Sequence, residues 1–95
     1  SVSFSFRKVC DETLQHNASY VVIAHNHPHG LPIASAEDLS TTSRLQNFLA
    51  QINVTLIDHF IVAEGHFSSI QKSAFYTVFQ TLKEKNEIFQ ERKKL

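Results

Sequence analysis

The chain has no methionine, one cysteine, two glycines and two prolines in 95 residues, no net charge and no long apolar run. Each shortage excludes something. With Cys10 alone no disulfide can form within the chain, and nothing points to an oxidising compartment, so a cytoplasmic location is expected. No apolar stretch approaches the roughly 18 residues that span a bilayer, which leads to the expectation of a soluble protein with no membrane partner. Nine basic residues cancel nine acidic ones, so the overall positive field that draws proteins to nucleic acid or anionic lipid is missing. The one dense basic run, Arg92-Lys93-Lys94, reads as a solvated end. A chain that starts at Ser1 without methionine is expected to be a fragment or a processed product, with anything encoded upstream, a signal peptide included, out of sight.

What is present is globular: 42% hydrophobic and 19% charged residues, with no internal repeat and no low-complexity segment. The length suits one domain over 1–95 with a single modest core. Val2, Phe4 and Phe6 alternate with serines, the period of a half-buried strand over 2–6. From Arg7 the spacing changes, and Cys10, Leu14 and Ala18 fall on one side of a short helix ending near His16-Asn17. Cys10 reads as a small hydrophobe on that face, and His16 as a surface residue. The continuous apolar run 20–24 predicts a central strand buried on both faces, and it delivers His25.

Pro28, Gly30 and Pro32 make 26–34 a loop. Ser35 then opens a helix whose core stripe is Leu45, Phe48, Leu49 and Ile52. Residues 54–63 read as an interior strand interrupted only by Asp58 and His59, and 67–70 as a short returning strand past Glu64-Gly65 and the surface residue His66. A long last helix follows, with Phe75, Val78, Phe79, Leu82 and Phe89 at helical spacing. The expected fold class is therefore α/β, a small mixed sheet flanked by helices in the order β-α-β-α-β-β-α.

Residues 25–38 carry the chemistry. Side chains two apart on an extended chain share a face, so His25 and His27 can aim at one point, and Pro28 holds His27 out of the helical region. Asp38 can add a carboxylate from the following helix. Two imidazoles and a carboxylate are a three-ligand zinc set that leaves a position for water, the arrangement of a hydrolytic site. A plainer account exists for part of this: Ser35 as an N-cap with Asp38 in the first turn answering the helix dipole. Capping leaves the two histidines at the strand end unexplained.

The spacing His25-x-His27, seven residues, Ser35, two residues, Asp38 resembles the JAMM motif of the MPN-domain metalloproteases. The run His25-Asn26-His27-Pro28, Gly30, the proline and serine before Asp38, and the run 56–62 resemble the bacterial RadC branch of that superfamily. The likeness extends over 7–69 and leaves the last helix, 71–95, outside. It implies a cytidine-deaminase-like MPN/JAMM fold with one zinc ion on His25, His27 and Asp38, and a Ser35 hydroxyl that hydrogen-bonds the tetrahedral intermediate of amide or isopeptide hydrolysis. It also implies a general-base glutamate on a strand well upstream, and no acidic residue here precedes Asp11. Glu12, Glu37 and Glu64 are the substitutes within the chain, none with a placement that recommends it, so weak hydrolysis at best is expected.

His29 stands where RadC sequences usually carry a small serine, and it reads either as a loop residue at the site entrance or as an added ligand. Asp58 and His59 read as satisfying each other or the loop backbone, or else as orienting a ligand histidine. Three functions follow from these readings: a zinc metallopeptidase-like hydrolase with an unknown protein or peptide substrate, a non-catalytic metal-binding interaction module, or a DNA-repair-associated domain as the RadC name implies. Charge argues against the last. A homodimer through an open sheet edge is a further expectation.

Overall fold

The computed structural model describes residues 5–28 and 30–94. Six elements follow one another: α1 (Phe6–Gln15), β1 (Tyr20–Asn26), α2 (Ala36–Gln51), β2 (Thr55–Ala63), β3 (His66–Ser69) and α3 (Ala74–Lys94). The sheet order is β1-β2-β3, with β1 and β2 parallel across α2 and β2 and β3 an antiparallel hairpin. This is the α/β class with a mixed sheet and flanking helices.

Of the strand expected over 2–6, residues 2–4 lie outside the described residues, Ser5 is the extended N-cap of α1 and Phe6 is the helix's first residue. The Ser5 side chain accepts the Lys8 backbone N–H at 3.1 Å, which caps α1 and draws Phe6 into its first turn. The buried face of α1 carries Cys10 and Thr13 rather than Cys10 and Leu14, since Leu14 is exposed. Phe6, Val9 and Cys10 pack with Leu45, Leu49, Phe48 and Ile52 of α2 and its C-cap, and with Ile23, Val54 and Leu56 from the sheet side. Leu45 and Leu49 are fully buried, each contributing about 2 kcal/mol by removal from water.

Among the described residues the strand expected at the centre of the sheet lies at its edge. β1 pairs with β2 alone among the described residues, and its exposed residues alternate with its buried ones: Tyr20 and Val22 face out, Ile23 and His25 face in. Among the described residues the helices leave the face of Tyr20, Val22 and Ile57 exposed, so this run of apolar residues is not buried on both sides. The centre belongs to β2. There the register with β1 slips by one: Val21 pairs with Leu56 but Val22 pairs with Asp58, leaving Ile57 without a partner. The extra residue turns the strand so that Leu56 and His59, three apart, lie beside Val21 and Ile23, which point into the core side.

α3 also presents a different face from the one its periodicity suggests. Phe75, Val78 and Leu82 are exposed, while Tyr76 is buried and its hydroxyl donates to Gln46 of α2 at 2.8 Å. Ser43 of α2 donates to Gln80 at 2.8 Å and accepts from Lys83 at 3.1 Å. Polar contacts to α2 set this helix's rotation. The side chains of Phe89 and of Arg92-Lys93-Lys94 lie outside the described residues.

Candidate metal centre

The end of β1 is built to hold two rings on one side. The His27 N–H donates to Val62 O at 2.8 Å, which carries the parallel ladder one residue past the strand and keeps 25–27 extended. The loop then turns, with Gly30 N–H on His27 O at 3.3 Å, and Ser68 ties it to β3 through a hydrogen bond from its hydroxyl to Pro32 O. It ends at Ser35, the N-cap of α2. There the Ser35 oxygen accepts from Asp38 N at 3.0 Å, and Asp38 Oδ2 accepts from Ser35 N at 2.9 Å, a reciprocal capping box. The box fixes the Asp38 carboxylate at the helix start and aims it back at the strand end.

Three side chains meet there. His25 Nδ1 lies 3.4 Å from Asp38 Oδ1 and His27 Nε2 lies 3.3 Å from Asp38 Oδ2, with the two imidazoles edge to face at 4.7 Å between centroids. Ligand atoms of His25, His27 and Asp38 all fall within 4.8 Å of one another. His25 and Asp38 are buried and His27 is largely so. His27 Nε2 is a buried ring nitrogen with no hydrogen bond. A cation would satisfy it. Zinc bonds of about 2.0–2.1 Å at tetrahedral angles put neighbouring donor atoms about 3.3–3.4 Å apart, close to the distance from each histidine nitrogen to a carboxylate oxygen, Oδ1 for His25 and Oδ2 for His27. The donor set and its spacing fit a divalent metal.

Ser35 serves the cap through its oxygen lone pair, which leaves the hydroxyl proton available to an acceptor outside the helix. Capping and a donor role are therefore compatible. Ser35→Ala is expected to lower stability by about 1 kcal/mol in urea denaturation while leaving metal stoichiometry unchanged. Loss of metal on this substitution would count against Ser35 as a mere neighbour of the ligand set.

The remaining residues of interest fall in different places. His29 lies outside the described residues. Asp58 is buried and its carboxylate accepts three hydrogen bonds, from His59 N at 2.7 Å, Ser69 Oγ at 2.5 Å and Gln71 N at 3.2 Å. Its partners are thus backbone and β3, not the His59 ring. His59 is fully buried; its ring stacks on that of His25 at 5.8 Å, and its Nδ1 lies 2.7 Å from Thr42 Oγ1. Burial, with His25 adding to it, pushes the His59 pKa down to about 4 against smaller opposing pulls from Asp38 and Asp58. The imidazole is neutral near pH 7.

Sequence reasoning missed Thr42. It lies on the inward stripe of α2, three residues before Leu45 and seven before Leu49, and a lone hydroxyl on an apolar stripe was the available signal. Among the described residues no glutamate joins the three ligands. Glu12 is exposed and pairs with His16, Glu37 is exposed in the first turn of α2, and Glu64 is exposed in the β2-β3 turn. Cys10 is buried among apolar side chains, which raises its thiol pKa.

A family model described as the RadC-like JAB domain matches residues 1–75. The chain belongs to the RadC-like JAB family. This RadC-like domain is 41% identical over 70 residues to a UPF0758 protein of Shouchella clausii, covering 74% of this chain and 30% of that one. It is 48% identical over 59 residues to a UPF0758 protein of Stenotrophomonas maltophilia, covering 62% of this chain and 25% of the relative. A UPF0758 protein of Cellvibrio japonicus matches at 41% over 64 residues, 67% of this chain and 29% of its own. The RadC-like chain thus spans less than a third of the length of these relatives. Its α/β sheet with flanking helices is consistent with the JAB/MPN fold, and most of α3 lies beyond the family match. No helix among the described residues is long and apolar enough to cross a membrane.

Proposed function

We propose that the chain is the metal-binding core of a zinc-dependent hydrolase that cleaves amide or isopeptide bonds in a protein or peptide. One observation carries this reading: the buried ring nitrogens of His25 and His27 each face an oxygen of the Asp38 carboxylate at 3.3–3.4 Å, with one ligand atom from each of the three residues within 4.8 Å of the others. When bound, zinc supplies Lewis acidity and lowers the pKa of water towards neutrality. His25 and His27 hold their lone pairs towards one point, and Asp38 brings the balancing charge from the N-terminus of α2. Ser35, at the same helix start, offers a hydroxyl proton to an oxyanion developing on the substrate carbonyl. The described residues offer no glutamate beside the triad to take up the proton, a step typically worth about 10²–10⁴-fold. That gap favours a slow enzyme in this chain alone. It also favours, as the second reading, a metal-stapled interaction module, while the absence of net charge gives no support to a nucleic-acid partner.

The test pairs metal analysis with an amidase assay on residues 1–95 and on a longer chain carrying the upstream strand. The expected result is one zinc per chain in both, with hydrolysis at least about 100-fold faster in the longer one. Equal rates would overturn the missing-base reading, and zinc-replete protein with no cleavage in either form would replace the hydrolase with the interaction module.

A further inference from the structure

The candidate ligands of the centre come from two different elements. His25 and His27 ride on β1 and its extension, and Asp38 rides on α2, which lies over β2. Something must hold the two at a constant distance. Between them stands His59, on the strand that neighbours β1 and opposite Ile23 in the register.

We propose that Thr42 and His59 form a hydrogen-bonded strut that sets the position of the Asp38 ligand relative to the His25 ligand, which makes both positioning residues for the metal centre. The proposal rests on the reading of His25, His27 and Asp38 as the ligand set. The Thr42 hydroxyl has a single proton to give. The Thr42 hydroxyl lies 2.6 Å from the backbone carbonyl of Asp38, and a carbonyl only accepts, so the single hydroxyl proton is spent there. The contact of 2.7 Å between Thr42 Oγ1 and His59 Nδ1 then needs its proton from the ring, which makes His59 the Nδ1–H tautomer. The strut therefore runs from the Asp38 peptide through Thr42 to the His59 ring, and from that ring by stacking at 5.8 Å and 30° onto His25.

Its far end is anchored as well. The His59 backbone N–H donates to Asp58, whose carboxylate is itself held by Ser69 and the Gln71 N–H. The register slip at Ile57 is what turns His59 to this side of the sheet. Thr42 and His59 are both fully buried, and such groups fix ligand orientation because they have no room to move. A merely structural buried pair would support stability without influencing the metal.

The deciding experiment compares Thr42→Val, which keeps the shape and removes the hydroxyl, with Thr42→Ser, which keeps the hydroxyl. Zinc affinity by chelator competition and the cobalt(II) d–d spectrum are read on folded protein. Thr42→Val is expected to bind zinc about 10- to 100-fold more weakly with an altered cobalt spectrum, and Thr42→Ser to stay within a few-fold of the parent. Unchanged affinity and spectrum in Thr42→Val would overturn the strut. The metal-free parent is read separately by long-range proton–nitrogen correlation, where His59 is expected as the Nδ1–H tautomer. Finding Nε2–H instead overturns the proposal even where Thr42→Val fails to fold. If the parent binds no zinc, the ligand reading fails on its own. The strut is then judged by that tautomer and by whether Thr42→Val moves the His25 ring resonances, unmoved resonances overturning it.

Discussion

Asp38→Ala is expected to abolish stoichiometric zinc binding, weakening affinity by more than about 100-fold, because it removes the ligand that supplies the centre's negative charge. The carboxylate does two jobs. It faces both histidines at 3.3–3.4 Å, and it closes the capping box of α2 by accepting the Ser35 N–H. The substitution should therefore also cost about 1 kcal/mol of helix-cap stability. It leaves the His25 and His27 rings facing each other with no counter-charge. His25→Ala should reproduce the loss of metal and spare the cap. Glu37→Ala, one residue away but exposed, should do neither. Zinc analysis after dialysis, with urea denaturation on the same samples, separates these outcomes. Stoichiometric zinc that survived both Asp38→Ala and His25→Ala would remove the site assignment.

The second large effect is on acid stability. In the unfolded chain His59 takes up a proton near its ordinary pKa of about 6.5, whereas in the folded chain burial holds it to about 4. Between those values the unfolded state binds more protons, so lowering the pH pulls the equilibrium towards unfolding. The contribution is whole above about pH 6.5 and has gone below about pH 4. A depression of that size corresponds to about 3 kcal/mol. Urea denaturation of metal-stripped protein at pH 7 and pH 4 should show the parent losing that much more than His59→Gln, since carboxylates common to both cancel in the comparison. A gap between parent and variant that stayed constant with pH would remove His59 as the source.

The meeting of His25, His27 and Asp38 in one place was legible because histidines two apart at the end of a strand, followed by a serine and an aspartate at a helix start, have few purely structural explanations as a group. Leu45 and Leu49 were legible from helical spacing, and the hairpin from Glu64-Gly65. What could not be read depends on neighbours. The alternation at Phe6 yielded to a local cap, because the Ser5 hydrogen bond to Lys8 N–H favours a helical first turn. The apolar run 20–24 does not encode how many strands or helices cover it, and Tyr20 and Val22 are left exposed. On α3 the spacing of Phe75, Val78 and Leu82 marks a face but not its partner, and the Tyr76 and Gln80 side chains, bonded to α2, decide which side turns inward. Asp58 and His59 were puzzling as adjacent buried polar residues because strict alternation cannot bury both. The slip at Ile57 is a pairing property, visible only once β1 lies alongside.

The parallel pairing of β1 with β2 has a consequence for how the centre comes into being. Parallel strands cannot meet through a tight turn, so β1 waits for the whole of α2 and β2 to be in place, a slow kind of closure that depends on contacts distant in sequence. His25, His27, Asp38, Thr42 and His59 span that entire unit. The three candidate ligands lie within residues 25–38, but His59 arrives only with β2, so the full set of five side chains is assembled on completion of the crossover rather than on formation of any single helix or hairpin.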